Sequence, residues 1–313
     1  MNSQKLKILV PIDGSTQALH AAVYAARMFA PTRTEIVLFH VDNQSTDLGR
    51  SLPDNPLYHE KIKAIDTWVA DQQHGIRQFM ELAVDSMEKA GFYRPSVQIK
   101  IKKKNEWLLD EIINESREGY DAVVVGKTGK SRLKDRVIGS VATKLVGKMN
   151  LLPLIIVDGN PRTDKMMLSI DRQEEAFKSI SCIATLLDIQ KFKIAISHVA
   201  MCGTQQGDQP SEPSISDEKH MCPLRDVECI CPSIENMRKC FEDAGILSEH
   251  LTDIVVKDDN PVAATLELLR INQFGSIVVG RRAIVPFIEE VISGRYSRKI
   301  LKKMENMALW VIN

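Results

Sequence analysis

Short apolar runs alternate along the chain with stretches in which apolar residues recur every three or four positions. Lys5 to Ile12 (KLKILVPI) reads as a strand buried on both faces, and Ala18, Leu19, Ala22, Val23, Ala25, Ala26 and Phe29 then fall at helical spacing. Glu35 to Val41 (EIVLFHV) is a second buried strand. Residues 42–73 are polar and irregular, with Pro53 and Pro56, and read as a long connection with some helix. A helical pattern runs from Ile76 to Ala90, and Val97 to Lys103 (VQIKIKK) alternates like an edge strand. Asn105 is placed to cap a helix carrying Trp107, Leu108, Ile112 and Ile113. Residues 121–157 then hold an apolar run, a glycine-punctuated loop, a helix through Val141, Ala142, Leu145 and Val146, and a last apolar run. Strand and helix alternate throughout, which predicts an α/β fold, a parallel sheet with helices on both faces.

The pattern starts again after Asn160. Lys165 to Asp171 (KMMLSID) repeats Lys7 to Asp13 (KILVPID), and Asp171 precedes the His198-Val199 pair by the same 27 and 28 residues that separate Asp13 from His40-Val41. SIVVG, Gly294, a helical pattern and LWVI close the chain as AVVVG, Gly139, a helix and LIIV close the first half. Gly139 to Leu154 and Gly294 to Leu309 both span 15 residues. Agreement at both ends predicts two similar Rossmann-like domains, 1–160 and 161–313, each a parallel five-stranded sheet with helices on both faces.

Composition narrows the function classes. Formal net charge is zero, so a polyanion held by bulk charge is not implied, and 5% aromatic content disfavours a base-stacking nucleic-acid platform. No apolar run approaches the roughly 20 residues that span a bilayer. The start, MNSQKLKILVPID, enters a strand directly and shows no signal-peptide core. The expectation is a cytoplasmic protein with no membrane or nucleic-acid partner and with mostly reduced cysteines.

The chemistry concentrates in the loop of residues 126–140. Gly126, Gly129 and Gly139 let the backbone approach an anion, and the first-turn N–H groups of the helix that starts near Gly139-Ser140 point at it. In parallel sheets ligands bind beyond the carboxyl ends of the strands, and Asp13, Val41 and Gly126 each end a different strand. Asp13 is also a candidate helix cap. His40 and His198 are read as core-edge histidines held by strand neighbours. Lys127 and Lys130 are placed to neutralise phosphate or to sit in a solvated loop. No P-loop signature is present.

VPIDGS near the start, with the G-x2-G-x9-G-S spacing of Gly126, Gly129, Gly139 and Ser140, resembles the nucleotide-binding universal stress proteins. The two-part layout resembles their tandem form. The resemblance covers nearly the whole chain and is eroded in the second half. It implies ATP at the carboxyl edge of the sheet. Asp13 and the backbone of Val41 would contact the adenosine part, Gly126, Gly129, Gly139 and Ser140 would hold ribose and phosphates with the Val141 N–H contributing, and Pro11 would complete the nucleotide-binding set. It further implies a sensor or regulator that binds ATP with slow or no hydrolysis and no assigned catalytic residue. The two domains would pair within the chain, with a homodimer as a further assembly.

The second half departs from this pattern at the site. Gly14, Gly129 and Ser140 become Arg172, Ala283 and Arg295, and Arg281 and Arg282 add positive charge. These changes read as a degenerate site; arginine forks clamping another anion are the alternative.

An insertion of about residues 200–232, rich in Gly, Pro, Ser, Asp and Gln, holds Cys202, Cys222, Cys229 and Cys231, four of the six cysteines. Four thiolates suit tetrahedral Zn2+, although C-x6-C-x-C is not a paired CxxC spacing. A redox switch and incidental thiols in a loop are the other readings. Cys182 falls in an amphipathic helix and reads as core.

Overall fold

The computed structural model describes residues 5–42, 74–129, 139–170, 173–200, 231–280 and 290–312. The chain divides into two compact units, Met1–Pro161 and Arg162–Asn313.

In the first unit the apolar runs become β1 (Leu6–Pro11), β2 (Thr34–Asp42), β3 (Val97–Lys103), β4 (Ala122–Gly126) and β5 (Leu154–Val157). They pair in parallel in the order β3-β2-β1-β4-β5. Central strands covered on both faces need apolar residues at every position, and Ile8, Leu9 and Val10 are fully buried. The alternating VQIKIKK strand, β3, is the edge, with Gln98 and Lys100 exposed.

Helices α1 (Thr16–Met28), α2 (74–89), α3 (Leu108–Ser116) and α4 (Ser140–Lys148) cover this sheet. Ala18, Ala21, Ala22 and Ala25 form the buried face of α1, and their small side chains let it lie close on β4. Met80, Ala83, Val84 and Met87 do the same work for α2 at helical spacing.

The expected Asn105 cap is not formed. Trp107 is the N-cap of α3, without a side-chain hydrogen bond. Instead Glu111, itself buried, reaches back and accepts the backbone N–H groups of Asn105 and Glu106 at 2.8 and 2.9 Å. Its other oxygen pairs with Lys102 at 2.7 Å. The turn is satisfied from inside the helix, so no cap residue is needed before it.

Strand order positions the site. From β1 the chain steps outward to β2 and β3, then returns to lay β4 on the other flank of β1. The β1–β4 boundary is therefore a topological switch point, where the loops leaving the two strands part and open a crevice at their carboxyl ends.

The second unit repeats this order. Strands β6 (Lys165–Ile170), β7 (Lys193–Ala200), β8 (Leu251–Lys257), β9 (Ser276–Gly280) and β10 (Ala308–Ile312) pair in parallel as β8-β7-β6-β9-β10. Its helices are α5 (Gln173–Leu186), α6 (Cys231–Asp243), α7 (Pro261–Ile271) and α8 (Glu290–Lys303). Asn260 caps α7, accepting from the Ala263 N–H at 3.2 Å, with Pro261 in the first helical turn. Helix α8 differs from the sequence expectation. It starts at Glu290, so Gly294 lies inside it, whereas Gly139 is the N-cap of α4. The glycine that opens a helix in one unit is a helical residue in the other.

Among the described residues, no helix is long and apolar enough to cross a membrane.

Candidate functional site

The carboxyl end of β1 runs into a tight turn. Gly14 adopts φ 78°, a left-handed conformation that glycine alone takes without strain. Ser15 caps α1, its hydroxyl accepting the Ala18 N–H at 3.1 Å. The Asp13 carboxylate accepts the Ser15 N–H at 2.9 Å. Asp13 is thus not the helix cap; it braces the residue that is, and it lines the crevice.

The end of β4 makes the opposite wall. The Lys127 N–H donates to the Val157 carbonyl at 2.8 Å, and the Gly139 N–H donates to the Lys127 carbonyl at 2.9 Å. The loop is thereby pinched shut at its base, and α4 starts at once from Gly139. A Cβ on Gly139 would meet the Lys127 carbonyl at 3.1 Å. One on Gly129 would meet the Asp13 carboxylate at 2.6 Å, and one on Gly126 would meet the Gln17 backbone of α1 at 2.8 Å. All three glycines stand where a neighbour presses on the backbone. The first-turn N–H groups of α4 have no intrahelical partner and carry the positive end of the helix dipole. No acidic residue sits in that turn to offset it.

Lys127 meets neither expectation for it. It is buried, and its ammonium pairs with Asp158 at 3.4 Å. It anchors the base of the loop to the segment after β5 and does not reach toward a ligand. Lys130 lies outside the described residues.

Between these walls lies a cavity of about 200 Å³. It brings together Pro11, Asp13, Val41, Gly126, Gly129, Gly139 and Val141, and Ser140 opens the helix between the last two. Leu108 and Ile112 from α3, Thr128 from the loop and Ala142 from α4 are among the lining residues that the sequence did not assign to the site. Leu108 and Ile112 show only the apolar stripe of a core-facing helix, and a stripe facing a cavity has the same pattern as one facing a core. Phe39, Val41, Leu108, Ile112 and Ala142 make part of the cavity apolar, while Asp13, Ser15, Thr128 and the glycines make the rest polar.

The backbone of Val41 belongs to this site by parity. The Phe39 carbonyl faces β1, accepting the Ile12 N–H at 2.7 Å, and the Asp42 carbonyl faces β3, accepting the Lys104 N–H at 2.9 Å. Alternate residues of a strand point the same way, so the N–H and C=O of Val41 face the β1 side. The last register pair between these strands is Pro11 with Phe39, so Val41 lies beyond the end of that ladder. His40 is fixed by a strand neighbour, its Nδ1 donating to the Ile12 carbonyl at 2.7 Å. Lys102 first, and then the N–H groups of Asn105 and Glu106, hold the Glu111 carboxyl below the ordinary glutamate value. Glu111 thereby fixes the turn that delivers α3 and its Leu108 and Ile112 to the cavity.

In the second unit Arg172, Arg281, Arg282 and Ala283 lie outside the described residues, and Arg295 falls within α8. Cys202, Cys222 and Cys229 are also outside them, and Cys231 opens α6. Among the described residues no group of three or more His, Cys, Asp or Glu is arranged to hold a metal ion.

The model of the universal stress protein family matches residues 6–158, so the first unit carries a domain of that family. The universal stress protein YxiE of Bacillus subtilis is 29% identical over 156 residues, which are 48% of this chain and 97% of that protein. Over the whole chain, a universal stress protein from Archaeoglobus fulgidus superposes with a TM-score of 0.57 at 16% identity, covering 99% of this chain and 97% of its own. A functionally unknown protein from Pseudomonas aeruginosa gives 0.55 at 15%, covering 98% and 92%. At that identity the two structures speak for the fold, an α/β architecture that extends through both units.

Proposed function

We propose that the chain is a tandem universal stress protein whose first unit binds ATP and acts as a sensor or regulator in a cytoplasmic stress response. The observation that carries this reading is the cavity at the β1–β4 switch point, walled by Asp13 on one side and by the glycine loop and the α4 N-terminus on the other. The polar part suits ribose and phosphates. Glycines bring the backbone close, and the N–H groups of a helix start favour negative charge. The apolar part suits a purine ring. The Val41 N–H and C=O present a donor and an acceptor side by side, which complement the ring nitrogen and amino group on the edge of adenine.

The groups among the described residues support binding with little or no turnover. Phosphoryl transfer calls for charge neutralisation at the phosphates and a positioned nucleophile. Among the described residues lining the cavity Asp13 is the one carboxylate, and Lys127 is engaged with Asp158. A ligand that is bound and not consumed can act by favouring one conformation over another. Calorimetric titration of the full chain with ATP tests the binding. A phosphate-release assay with Asp13→Asn as control tests turnover, and release that Asp13→Asn leaves unchanged belongs to another site.

A further inference from the structure

The second unit carries a tyrosine where the first has its cavity. Counted from the paired glycines Gly139 and Gly294, Tyr296 takes the place of Val141; counted from Lys7 and Lys165, Ser169 takes the place of Pro11. Val141 and Pro11 are walls of the unit 1 cavity, and Ile112 of α3 is a third. In the second unit the Tyr296 hydroxyl lies 3.1 Å from Ser169 Oγ on β6 and 2.7 Å from Thr265 Oγ1 on α7. Helix α7 precedes β9 as α3 precedes β4. The phenol, rooted in α8, therefore reaches across to the counterpart of Pro11 and to the helix that corresponds to α3. Thr265 is fully buried, so the hydroxyl that meets Tyr296 is itself shielded from water. Tyr296 itself is half-buried, and its hydroxyl has two partners, which hold the ring in place.

We infer that Tyr296 is a built-in occupant of the second unit's site and sets how many nucleotides one chain binds. The ring stands where an adenine nucleoside would enter, so unit 2 takes none while the tyrosine is present. Replacing it with valine, the residue of unit 1, opens a space that ends on the hydroxyls of Ser169 and Thr265. That space suits an uncharged nucleoside. Ala283 and Arg295 replace Gly129 and Ser140 in this unit, so the glycine loop is not repeated and adenosine, not ATP, is the fitting probe. The identity of the ligand rests on the adenine reading of unit 1; the occlusion does not.

The test is the stoichiometry of adenosine binding to the full chain, measured by calorimetry for wild type, Tyr296→Phe and Tyr296→Val. Wild type and Tyr296→Phe, which keeps the ring, are expected to bind one equivalent, and Tyr296→Val two. Two equivalents in wild type or in Tyr296→Phe overturn the inference, as does a folded Tyr296→Val that gains nothing over wild type. If Tyr296→Val does not fold, as judged by circular dichroism and its unfolding midpoint, Tyr296→Thr takes its place. Failure of the unit 1 reading looks different: wild type then binds none, and the increment on removing the ring still decides the role of Tyr296.

Discussion

Asp13 and Gly129 meet across the mouth of the unit 1 cavity so closely that a single methyl group on residue 129 would lie 2.6 Å from Asp13 Oδ2. The carboxylate is held in turn by the Ser15 N–H. Gly129→Ala must therefore push Asp13 off the residue that caps α1, or push the loop outward. It is expected to weaken ATP binding at least about tenfold, or ~1.4 kcal/mol. In an Asp13→Ala background the clash is gone, and the same substitution is expected to cost less than about threefold more, a coupling that a double-mutant cycle reads directly. Equal losses in both backgrounds would contradict the contact.

Much of this arrangement was legible in the sequence, for identifiable reasons. Buried parallel strands announce themselves as unbroken apolar runs, so β1, β2, β4 and β5 were readable, and β3 betrayed its edge position by alternating. The glycines of the loop were readable because close approach leaves few other choices. What was not legible depends on partners distant in the chain. Lys127 looked like a loop lysine because Asp158, which buries it, comes 31 residues later. Asn105 looked like a cap because nothing local shows Glu111 folding back onto its N–H. Tyr296 stands out in no local pattern, since its meaning comes from Ser169, 127 positions earlier.

Glu111 gives a dependence on pH. Its native carboxyl is held below the ordinary value, chiefly by Lys102 and by the N–H groups of Asn105 and Glu106. A depressed carboxylate stabilises the fold above its unfolded pKa of roughly 4.3, and that contribution fades as pH falls through the lower native value. Glu111→Gln is expected to cost roughly 1–3 kcal/mol at pH 7, the range for hydrogen bonds to a buried charged group. Urea unfolding of both proteins should show the gap narrowing below the ordinary glutamate pKa. A gap that stays constant down to the acid limit would count against this role.

Cys182 sits half-buried in α5, not in the core as its helical pattern suggests, and desolvation pushes its thiol up to about 12. The thiolate is the reactive form, so iodoacetamide at pH 8 is expected to leave Cys182 unmodified in the native protein and to modify it in urea. Peptide mapping reads both. Native modification as fast as in urea would contradict the raised thiol. Zinc at Cys202, Cys222, Cys229 and Cys231, one of the three readings that the sequence leaves open, is checked on the same protein by elemental analysis: about one zinc per chain would support it, and zinc-free protein with all six thiols titratable would remove it.

Whether ATP occupies the unit 1 cavity is read at Val141. It lines that cavity from α4, at the position Tyr296 holds in unit 2. Calorimetric titration of ATP into full-length wild type and Val141→Tyr compares an open cavity with one filled as unit 2 is filled. Wild type is expected to bind one equivalent, and a folded Val141→Tyr to lose at least about tenfold in affinity. No binding by wild type, or equal affinity in the two proteins, would contradict it.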